Sequence, residues 1–476
     1  MSLRELLTAR DVTVGRPWKR LLELALPLFI GNLAQALYNT VDTVVVGKYI
    51  GDDALSAVGA AAPLVNFIFI FFIGIATGAG ILVSQRFGAK DKEGLSLVIG
   101  NTLMLTVIVS ILTTALGLFL TLCPIFGGKD LLQVMNTPKG NIYTWCRQYM
   151  MVIFAGVTAT IFYNMFAGCL RAMGDSVSAL IFLLVACFLN IFLDIFFVAR
   201  LGLGVFGVAL ATVIAQFISA AACGIKLFSM KEYFEVTAKE LHLQKGIIKR
   251  ILELGIPSGI GQGIFSLSWF MVQSLTNSMG AAVMACSVVI ARVDGFVMLP
   301  YMSLGNAMTT FIGQNYGGKK LERMETGAKQ GIIIAWITSI TLTSLLLLLG
   351  RHIAGWFTGT EAIIEMAAYS MRIISVGYLI MGMNQTLFGY LRGIGSTVNT
   401  MVISIVTQVF VRVPLAYLLA HLTASPDYPK GHFKSLYISM VCAWLTGSVL
   451  GIIFFITKKR KLRENADDSW QKEYTE

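Results

Sequence analysis

Four polar side chains lie at helical spacing in the first long apolar segment of the chain. They are Asn32, Gln35, Asn39 and Asp42. Intervals of three, four and three residues place them on one face of a helix. A charged group in the bilayer interior costs about 2.5–3.5 kcal/mol on insertion scales, so this face should not point at lipid. We therefore expect Asp42 to face protein or a water-filled cavity, with Gln35 and Asn39 lining that cavity.

A second group of polar residues lies in the fifth and sixth apolar segments. Asn190 and Asp194 are four residues apart and share a helix face, and Thr212 follows in the next segment. With a rise of about 1.5 Å per residue, Asp42, Asp194 and Thr212 fall at a similar depth in the outer half of the membrane. Oxygen ligands of this kind suit Na⁺, and two nearby carboxylates suit a shared proton. Thr212 alone is more typical of packing between helices, but two buried carboxylates favour a functional role.

Three further residues are cavity-lining candidates in the second half of the chain. Gln262 lies at the place in the seventh segment that matches the polar face of the first, and Arg292 and Asp294 lie inside the eighth. Residues two positions apart on a helix do not face each other, so we expect no direct salt bridge between Arg292 and Asp294. Structural and functional roles are equally compatible with this pair.

The composition is that of a membrane protein. Of 476 residues, 56% are hydrophobic and 13% are charged, against about 25% charged in soluble domains. The net charge of +11 resides in short loops, where the positive-inside rule explains it better than nucleic-acid binding does. The seven cysteines are scattered without C-x-x-C spacing, which is typical of apolar packing residues and not of a metal site or a disulfide set.

Long apolar runs predict an all-α polytopic membrane protein. A spanning helix needs about 20 mostly apolar residues, and twelve segments qualify. They cover about 22–48, 54–84, 96–122, 143–170, 177–199, 203–228, 252–278, 283–313, 327–350, 365–391, 398–420 and 434–457. Every second connection is basic, including both ends of the chain, so both termini are predicted to be cytoplasmic.

The chain contains an internal duplication. Gln85, Gly88 and Lys90 return as Gln314, Gly317 and Lys319, and the turn from Gly168 to Ser176 returns from Gly389 to Thr397. An even number of spans in each half predicts two six-helix lobes in the same orientation, related by a parallel repeat. The predicted divisions are an N-terminal lobe (1–228), a cytoplasmic linker (229–250), a C-terminal lobe (251–463) and a polar tail (464–476).

No chemistry of bond cleavage is visible in the sequence. We find no nucleophile–base pair, no metal-ligand spacing and no ATPase signature, so an enzyme is disfavoured and an ion gradient is the expected energy source. No cofactor is expected beyond a coupling ion, Na⁺ or H⁺.

The chain resembles the multidrug and toxic compound extrusion (MATE) family, bacterial and archaeal type, over almost its whole length. The residues that carry the resemblance are Pro27, Val41-Asp42 with Val46-Gly47 and Gly51, Gln85 with Gly88, Leu170-Arg171-x-x-Gly174-Asp175, Asn190-x-x-x-Asp194, and Gly202-x-Gly204-x-x-Gly207.

The resemblance implies a twelve-helix, two-lobed antiporter that exports organic cations or drugs by alternating access, in exchange for Na⁺ or H⁺. It also implies a cation site in the N-terminal lobe, formed by Asp42, Asn190, Asp194 and Thr212. We expect a monomer in a prokaryotic cytoplasmic membrane, with drugs and lipid as its partners and no nucleic acid. The alternative is a flippase for a lipid-linked or amphipathic metabolite, which the few intramembrane arginines, chiefly Arg292 and Arg412, do not favour.

Overall fold

The computed structural model describes residues 8–123, 132 and 140–464, and its regular structure in those residues is helical throughout. The helices are α1 (Pro17–Tyr49), α2 (Asp52–Gly88), α3 (Lys92–Leu122), α4 (Asn141–Ala155), α5 (Val157–Ala172), α6 (Ser176–Ile195), π1 (Phe196–Arg200), α7 (Gly204–Phe228), α8 (Lys245–Ser278), α9 (Ala281–Gly317), α10 (Leu321–Gly355), α11 (Glu361–Gly393), α12 (Thr397–Ile405), π2 (Val406–Arg412), α13 (Val413–Leu422) and α14 (Lys434–Glu464). π1 and π2 are short stretches of wider π-helix; π1 ends the fifth predicted span and π2 interrupts the eleventh.

These helices confirm the predicted all-α membrane fold. In the described part of the chain, ten helices are long and apolar enough to cross a membrane. The pair α4–α5 is bent by 48° at its break, and counted as one span it brings the number to eleven. The remaining predicted span corresponds to α8, a continuous helix of 34 residues. It is not among these candidate spans, and several charged residues lie in its first turns. The polar tail predicted from residue 464 lies outside the described residues beyond Glu464.

The duplication is visible in the backbone. α2 ends at Gly88 and α9 at Gly317, and each is followed by a lysine in the left-handed region. Lys90 has a φ of 58° and Lys319 a φ of 56°. Positive φ is uncommon for a residue with a side chain, so the shared conformation is a specific feature that both halves keep.

The chain divides into two compact units. The N-terminal unit comprises residues 1–11 and 27–259, and the C-terminal unit comprises residues 12–26 and 260–476. The division falls within α1 and within α8, near the prolines that each helix contains, Pro27 and Pro257. Proline removes one backbone hydrogen bond from a helix interior, so both helices are weakened close to the division. The lobe boundaries predicted from the sequence stay a prediction.

In the N-terminal unit, the first half of α8 packs against α2 through glycines. Gly74 and Gly78 face Gly255 and Gly259, and a Cβ added at Gly78 would lie 2.4 Å from the carbonyl oxygen of Ile251. Small residues four positions apart allow two membrane helices to approach to backbone contact.

In the C-terminal unit, α11 is the central helix and packs against α9, α10 and α14. Residues 12–16, directly before α1, are tied to this unit by hydrogen bonds. The backbone N–H of Val12 donates to Gln314 Oε1 at 3.0 Å, and Arg323 Nη2 donates to the carbonyl oxygen of Val12 at 2.9 Å. Gln314 belongs to the duplicated motif, which therefore has a structural role in this half.

Candidate functional site

The N-terminal unit brings together two carboxyl groups from α1 and α6. Asp42 and Asp194 lie within hydrogen-bonding reach of each other. Asp194 is fully buried, and Asp42 is half-buried. The sequence places both acids at a similar depth, and their role in binding a cation stays a prediction.

Three oxygens of these carboxyl groups are buried without a hydrogen-bond donor among the described residues. Among the described residues, Asp42 Oδ1 and both carboxylate oxygens of Asp194 are buried and accept no hydrogen bond from another group. An ionised carboxylate only accepts hydrogen bonds, so two facing carboxylates repel each other unless a proton or a cation lies between them. Burying an uncompensated charge is expensive, so the pair requires a positive species for its stability.

Asn190 and Thr212 form a weak contact in the same unit. Asn190 Nδ2 donates to Thr212 Oγ1 at 3.4 Å, at the long end of hydrogen bonds, and the Thr212 hydroxyl donates to the carbonyl oxygen of Val208 at 3.1 Å. Asn190 is buried, and its Oδ1 accepts no hydrogen bond from the described residues. The amide oxygen is therefore a further acceptor, one helical turn before Asp194.

Local structure fixes the position of the acidic end of α6. The helix begins at an N-cap, Asp175, whose Oδ1 accepts from the backbone N–H of Ser178 at 3.0 Å. It ends in π1, which starts two residues after Asp194. Short π-helical stretches occur frequently at functional sites, where they reorient side chains relative to a regular helix.

Two tyrosines lie near the carboxyl pair and were not identified from the sequence. Tyr38 and Tyr149 each interact electrostatically with both Asp42 and Asp194. Tyr38 precedes Asp42 by one helical turn, so its shared face was visible in the spacing. Tyr149 comes from α4, and nothing in the sequence connects it to the pair.

Most of the residues predicted to line a cavity are more exposed than the carboxyl pair. Gln35, Asn39 and Gln262 have exposed side chains, as does Arg292 on α9. Among the described residues, no salt bridge joins Arg292 to Asp294, in agreement with their spacing. A cavity-lining role for these residues stays a prediction.

Asp294 belongs to a separate cluster in the C-terminal unit. Its Oδ1 accepts a hydrogen bond from the Tyr378 hydroxyl at 2.8 Å. The cationic group that it interacts with is Arg412, at the end of π2. From the sequence, Arg412 was recognised only as an intramembrane arginine, because the two residues lie on helices far apart in the chain.

Comparisons with known proteins agree with this architecture. The family model MatE matches residues 27–196 and 257–418, which are the two halves of the duplication. The chain is 28% identical over 454 residues to a protein of Bacillus subtilis named probable multidrug resistance protein YoeA, covering 94% of this chain and 95% of that protein. It is 25% identical over 456 residues to probable multidrug resistance protein NorM of Thermotoga maritima, covering 94% and 93%.

Solved structures show the same likeness. A crystal structure of MATE in the bent conformation matches with a TM-score of 0.87 and 26% identity, covering 96% of this chain and 98% of that chain. An outward-facing multidrug resistance MATE family transporter of the MOP superfamily matches with a TM-score of 0.86 and 26% identity, covering 95% and 98%. With both halves matched by the family model, the chain belongs to the MatE family, whose members are membrane transporters and not enzymes.

Proposed function

We propose that this protein is a cation-coupled multidrug antiporter that exports organic cations in exchange for Na⁺ or H⁺. The observation that supports this most directly is the pair of facing carboxyl groups, Asp42 and Asp194, which accept no hydrogen bond from other described groups. Intramembrane acids of this kind mark ion pathways and proton relays in transporters. The relatives named multidrug resistance proteins supply the substrate class.

Either coupling ion fits the chemistry of the donor set. A proton shared between Asp42 and Asp194 turns two repelling groups into one hydrogen-bonded pair. Na⁺ binds oxygen ligands, and the same carboxylates with the oxygens of Asn190 and Thr212 are the residues that would hold it. Both ions neutralise the same buried charge, so both stabilise the same arrangement of the N-terminal unit.

The coupling follows from linkage. The ion favours a state that binds drug poorly, and loss of the ion restores affinity for drug. Drug export and ion entry are then coupled by the difference in ion affinity between the two states, and by nothing else. Cavity-lining roles are proposed for Gln35 and Asn39 in the N-terminal unit, and for Gln262, Arg292 and Asp294 in the C-terminal unit.

The setting of this activity is a prokaryotic cytoplasmic membrane, with the protein acting as a monomer. Both termini lie in the cytoplasm in this proposal, because the basic connections alternate with weakly charged ones. A chain rich in Met (21) and Phe (30) offers soft apolar surfaces for varied drug cations.

The proposal is tested by efflux of an ethidium-type dye from proteoliposomes. Na⁺ and pH gradients are imposed separately on wild-type protein, Asp42→Asn and Asp194→Asn. We expect one gradient to drive efflux in the wild type, and both variants to lose at least about 90% of that gradient-dependent rate because the ion no longer binds. The gradient that drives the wild type identifies the coupling ion.

Asp53→Asn is the matched control, because Asp53 is an exposed carboxylate in the first turn of α2 and takes the same substitution. It should transport like the wild type. Efflux that ignores both gradients, or that survives in Asp42→Asn, would contradict the coupling site. Gradient-independent movement of an amphipathic lipid by the same preparation would favour the flippase instead.

A further inference from the structure

A small cavity in the C-terminal unit lies beside Asp294 and Arg412, among α8, α9, π2 and α14. Its volume, measured for the centres of water-sized molecules, is about 30 Å³, whereas a single buried water needs at least about 10–15 Å³ on the same measure. The cavity therefore has room for about two water molecules or for one small ion, and for nothing larger. The polar residues of its wall are Gln273, Thr276, Ser287, Asp294, Arg412 and Tyr437.

Arg412 supplies this cavity with a buried cation that has an unused donor. The residue is 4% exposed, and its Nη1 donates to Gln408 Oε1 at 3.2 Å. The guanidinium carbon lies 5.4 Å from the ring centroid of Trp269 and 5.9 Å from that of Phe265, and these aromatic contacts hold the charge in place. The Nε–H is buried and donates to none of the described groups. A buried donor without an acceptor is costly, so the guanidinium has a place for an acceptor in the cavity.

Other groups of the wall can donate hydrogen bonds as well. Ser287 and Tyr437 contribute hydroxyl groups, and Gln273 contributes an amide that also donates to Asn277 Oδ1 at 2.8 Å. Hydroxyl and amide groups are donors that an anion can use. A metal cation, by contrast, would meet the guanidinium of Arg412 where it needs an oxygen ligand. The wall therefore suits a small anion better than a small cation.

Asp294 determines the net charge of this site. In the described part of the chain, the titratable groups around it are Tyr378 on α11, Arg412 on π2 and, in the same cavity wall, Tyr437 on α14. The lining residues from α8 are uncharged. Asp294 and Arg412 attract each other without forming a direct salt bridge, although a structural ion pair would close to contact to recover its desolvation penalty. The two charges are instead held apart at the wall of one cavity.

An anion can enter this site only if the carboxylate of Asp294 is neutralised. With Asp294 ionised, the acid and the guanidinium of Arg412 already balance, and an added anion would leave a buried negative charge. With Asp294 protonated, the guanidinium is left as an uncompensated cation, which one anion neutralises. The Tyr378 hydroxyl donates to Oδ1 of Asp294 at 2.8 Å, so Oδ2 remains for the proton.

We propose that this cavity binds one monatomic anion, chloride, together with a proton on Asp294. The anion accepts hydrogen bonds from the Nε–H of Arg412 and from the hydroxyl groups of the wall. The proton comes from water and resides on Oδ2 of Asp294. Each of the two removes the charge that the other alone would leave buried, so they bind as a neutral pair. Polyatomic organic anions are excluded by the volume of the cavity.

This site is separate from the carboxyl pair at Asp42 and Asp194, so the inference goes beyond the proposed coupling function and does not depend on it. It is tested by binding of chloride, which needs no gradient, no drug and no transport. A failure here leaves the efflux experiment untouched, and a failure of efflux leaves this test intact.

The experiment measures equilibrium binding of radiolabelled chloride to the purified full chain in detergent, over a range of pH at constant ionic strength. We expect saturable binding whose affinity increases as the pH falls. The increase should reach about tenfold per pH unit while Asp294 is ionised, because one proton accompanies each anion. Unlabelled bromide should compete, because it is monatomic and similar in size, and gluconate should not compete at the same concentration.

Substitutions separate the anion from the proton. Arg412→Met removes the cation and should weaken chloride by about tenfold or more, whereas Arg412→Lys keeps a charge and should bind with intermediate affinity. Asp294→Asn is neutral at every pH, so it should bind chloride with no pH dependence and at least as tightly as the wild type does at the lowest pH. The matched controls are Arg372→Met and Asp53→Asn, which change exposed side chains outside the cavity and should keep both the affinity and its pH dependence.

The proposal is overturned if the wild-type protein shows no saturable binding of chloride, which would mean that the cavity holds only water. It is also overturned if chloride binds with the same affinity at every pH, or if Asp294→Asn keeps the pH dependence of the wild type. Wild-type affinity in both Arg412→Met and Arg412→Lys, each monodisperse by size-exclusion chromatography, would place the anion elsewhere and equally contradict it.

Discussion

The two units bury acidic groups in their membrane-spanning parts, but they compensate the charge in different ways. In the N-terminal unit, Asp42 faces Asp194, a second acid, and no described group donates to the buried oxygens. In the C-terminal unit, Asp294 receives a hydrogen bond from Tyr378 and has Arg412 as its cationic neighbour. One cluster therefore lacks a positive charge that the other already contains.

This difference indicates what each cluster can bind. A pair of like charges is stabilised by one added cation, which is the property that a coupling-ion site needs. A cluster with one acid and one base is neutral already, and additional net charge would destabilise it. The duplication therefore gave two similar scaffolds, and substitution at a few positions gave their acidic clusters a different balance of charge.

The largest expected effect is a difference in stability between substitutions in the two clusters. Arg412→Met removes the aromatic contacts and leaves Asp294 without its cation, so we expect the free energy of unfolding to fall by about 3 kcal/mol. Asp42→Asn instead removes one of two facing acids and supplies an amide donor to Asp194. Its thermal unfolding midpoint in detergent should equal or exceed that of the wild type. Differential scanning fluorimetry at neutral pH measures both.

The matched variants for this comparison are Arg372→Met and Asp53→Asn, which make the same changes on exposed side chains. Both should unfold within about 0.5 kcal/mol of the wild type. If Asp42→Asn lowered the midpoint as much as Arg412→Met, the carboxyl pair would already be compensated by a group of the chain, and the contrast between the clusters would be wrong.

Sequence periodicity was sufficient to predict the helices and the polar face of α1. Apolar runs of about 20 residues predict membrane spans directly, because the bilayer fixes their length. The interval between Asn190 and Asp194 likewise predicts a shared face without any tertiary information. Even so, the breaks in regular structure, π1 and π2, have no signal in the apolar pattern.

Contacts between distant helices were not predictable in the same way. The glycines of α2 and α8 are separated by most of the N-terminal unit in sequence, and many glycines in the chain make no such contact. Arg412 and Tyr378 carry no local pattern that points to Asp294. Such partners depend on how the helices pack, and a single sequence contains no direct information about that packing.

A smaller effect is expected from Tyr378→Phe, which tests whether Asp294 depends on a neutral donor. The substitution removes the hydroxyl that donates to Asp294 Oδ1 and leaves the rest of the ring packing in place. A buried acceptor without its donor costs about 1–3 kcal/mol, so we expect a loss of stability in this range, below that of Arg412→Met. Thermal unfolding in detergent measures it. The control is Tyr369→Phe, because the Tyr369 ring contacts Lys434 through its face and keeps that contact without the hydroxyl.

The double variant Tyr378→Phe with Asp294→Asn extends this test. If the hydroxyl acts only on Asp294, its removal should cost less once the carboxylate has become an amide. Equal costs in the two backgrounds would show that the Tyr378 hydroxyl stabilises something other than Asp294.

The smallest expected effect comes from Thr212→Val, which keeps the shape of the side chain and removes one oxygen from the N-terminal cluster. The hydroxyl receives only a long hydrogen bond from Asn190, so stability should fall by only about 0.6 kcal/mol, the average for hydrogen bonds between membrane helices.

The change in transport depends on the ion. A proton needs only the carboxyl pair, so proton-driven dye efflux should keep its pH dependence, whereas Na⁺ loses an oxygen ligand and its half-saturating concentration should rise severalfold. Ser219→Ala is the control, because Ser219 lies on the same helix and donates to the backbone of Phe182, away from the acids. A fall in stability as large as that of Tyr378→Phe would mean that Thr212 stabilises the folded structure. The contrast between its weak hydrogen bond with Asn190 and the strong hydrogen bond from Tyr378 to Asp294 would then be wrong.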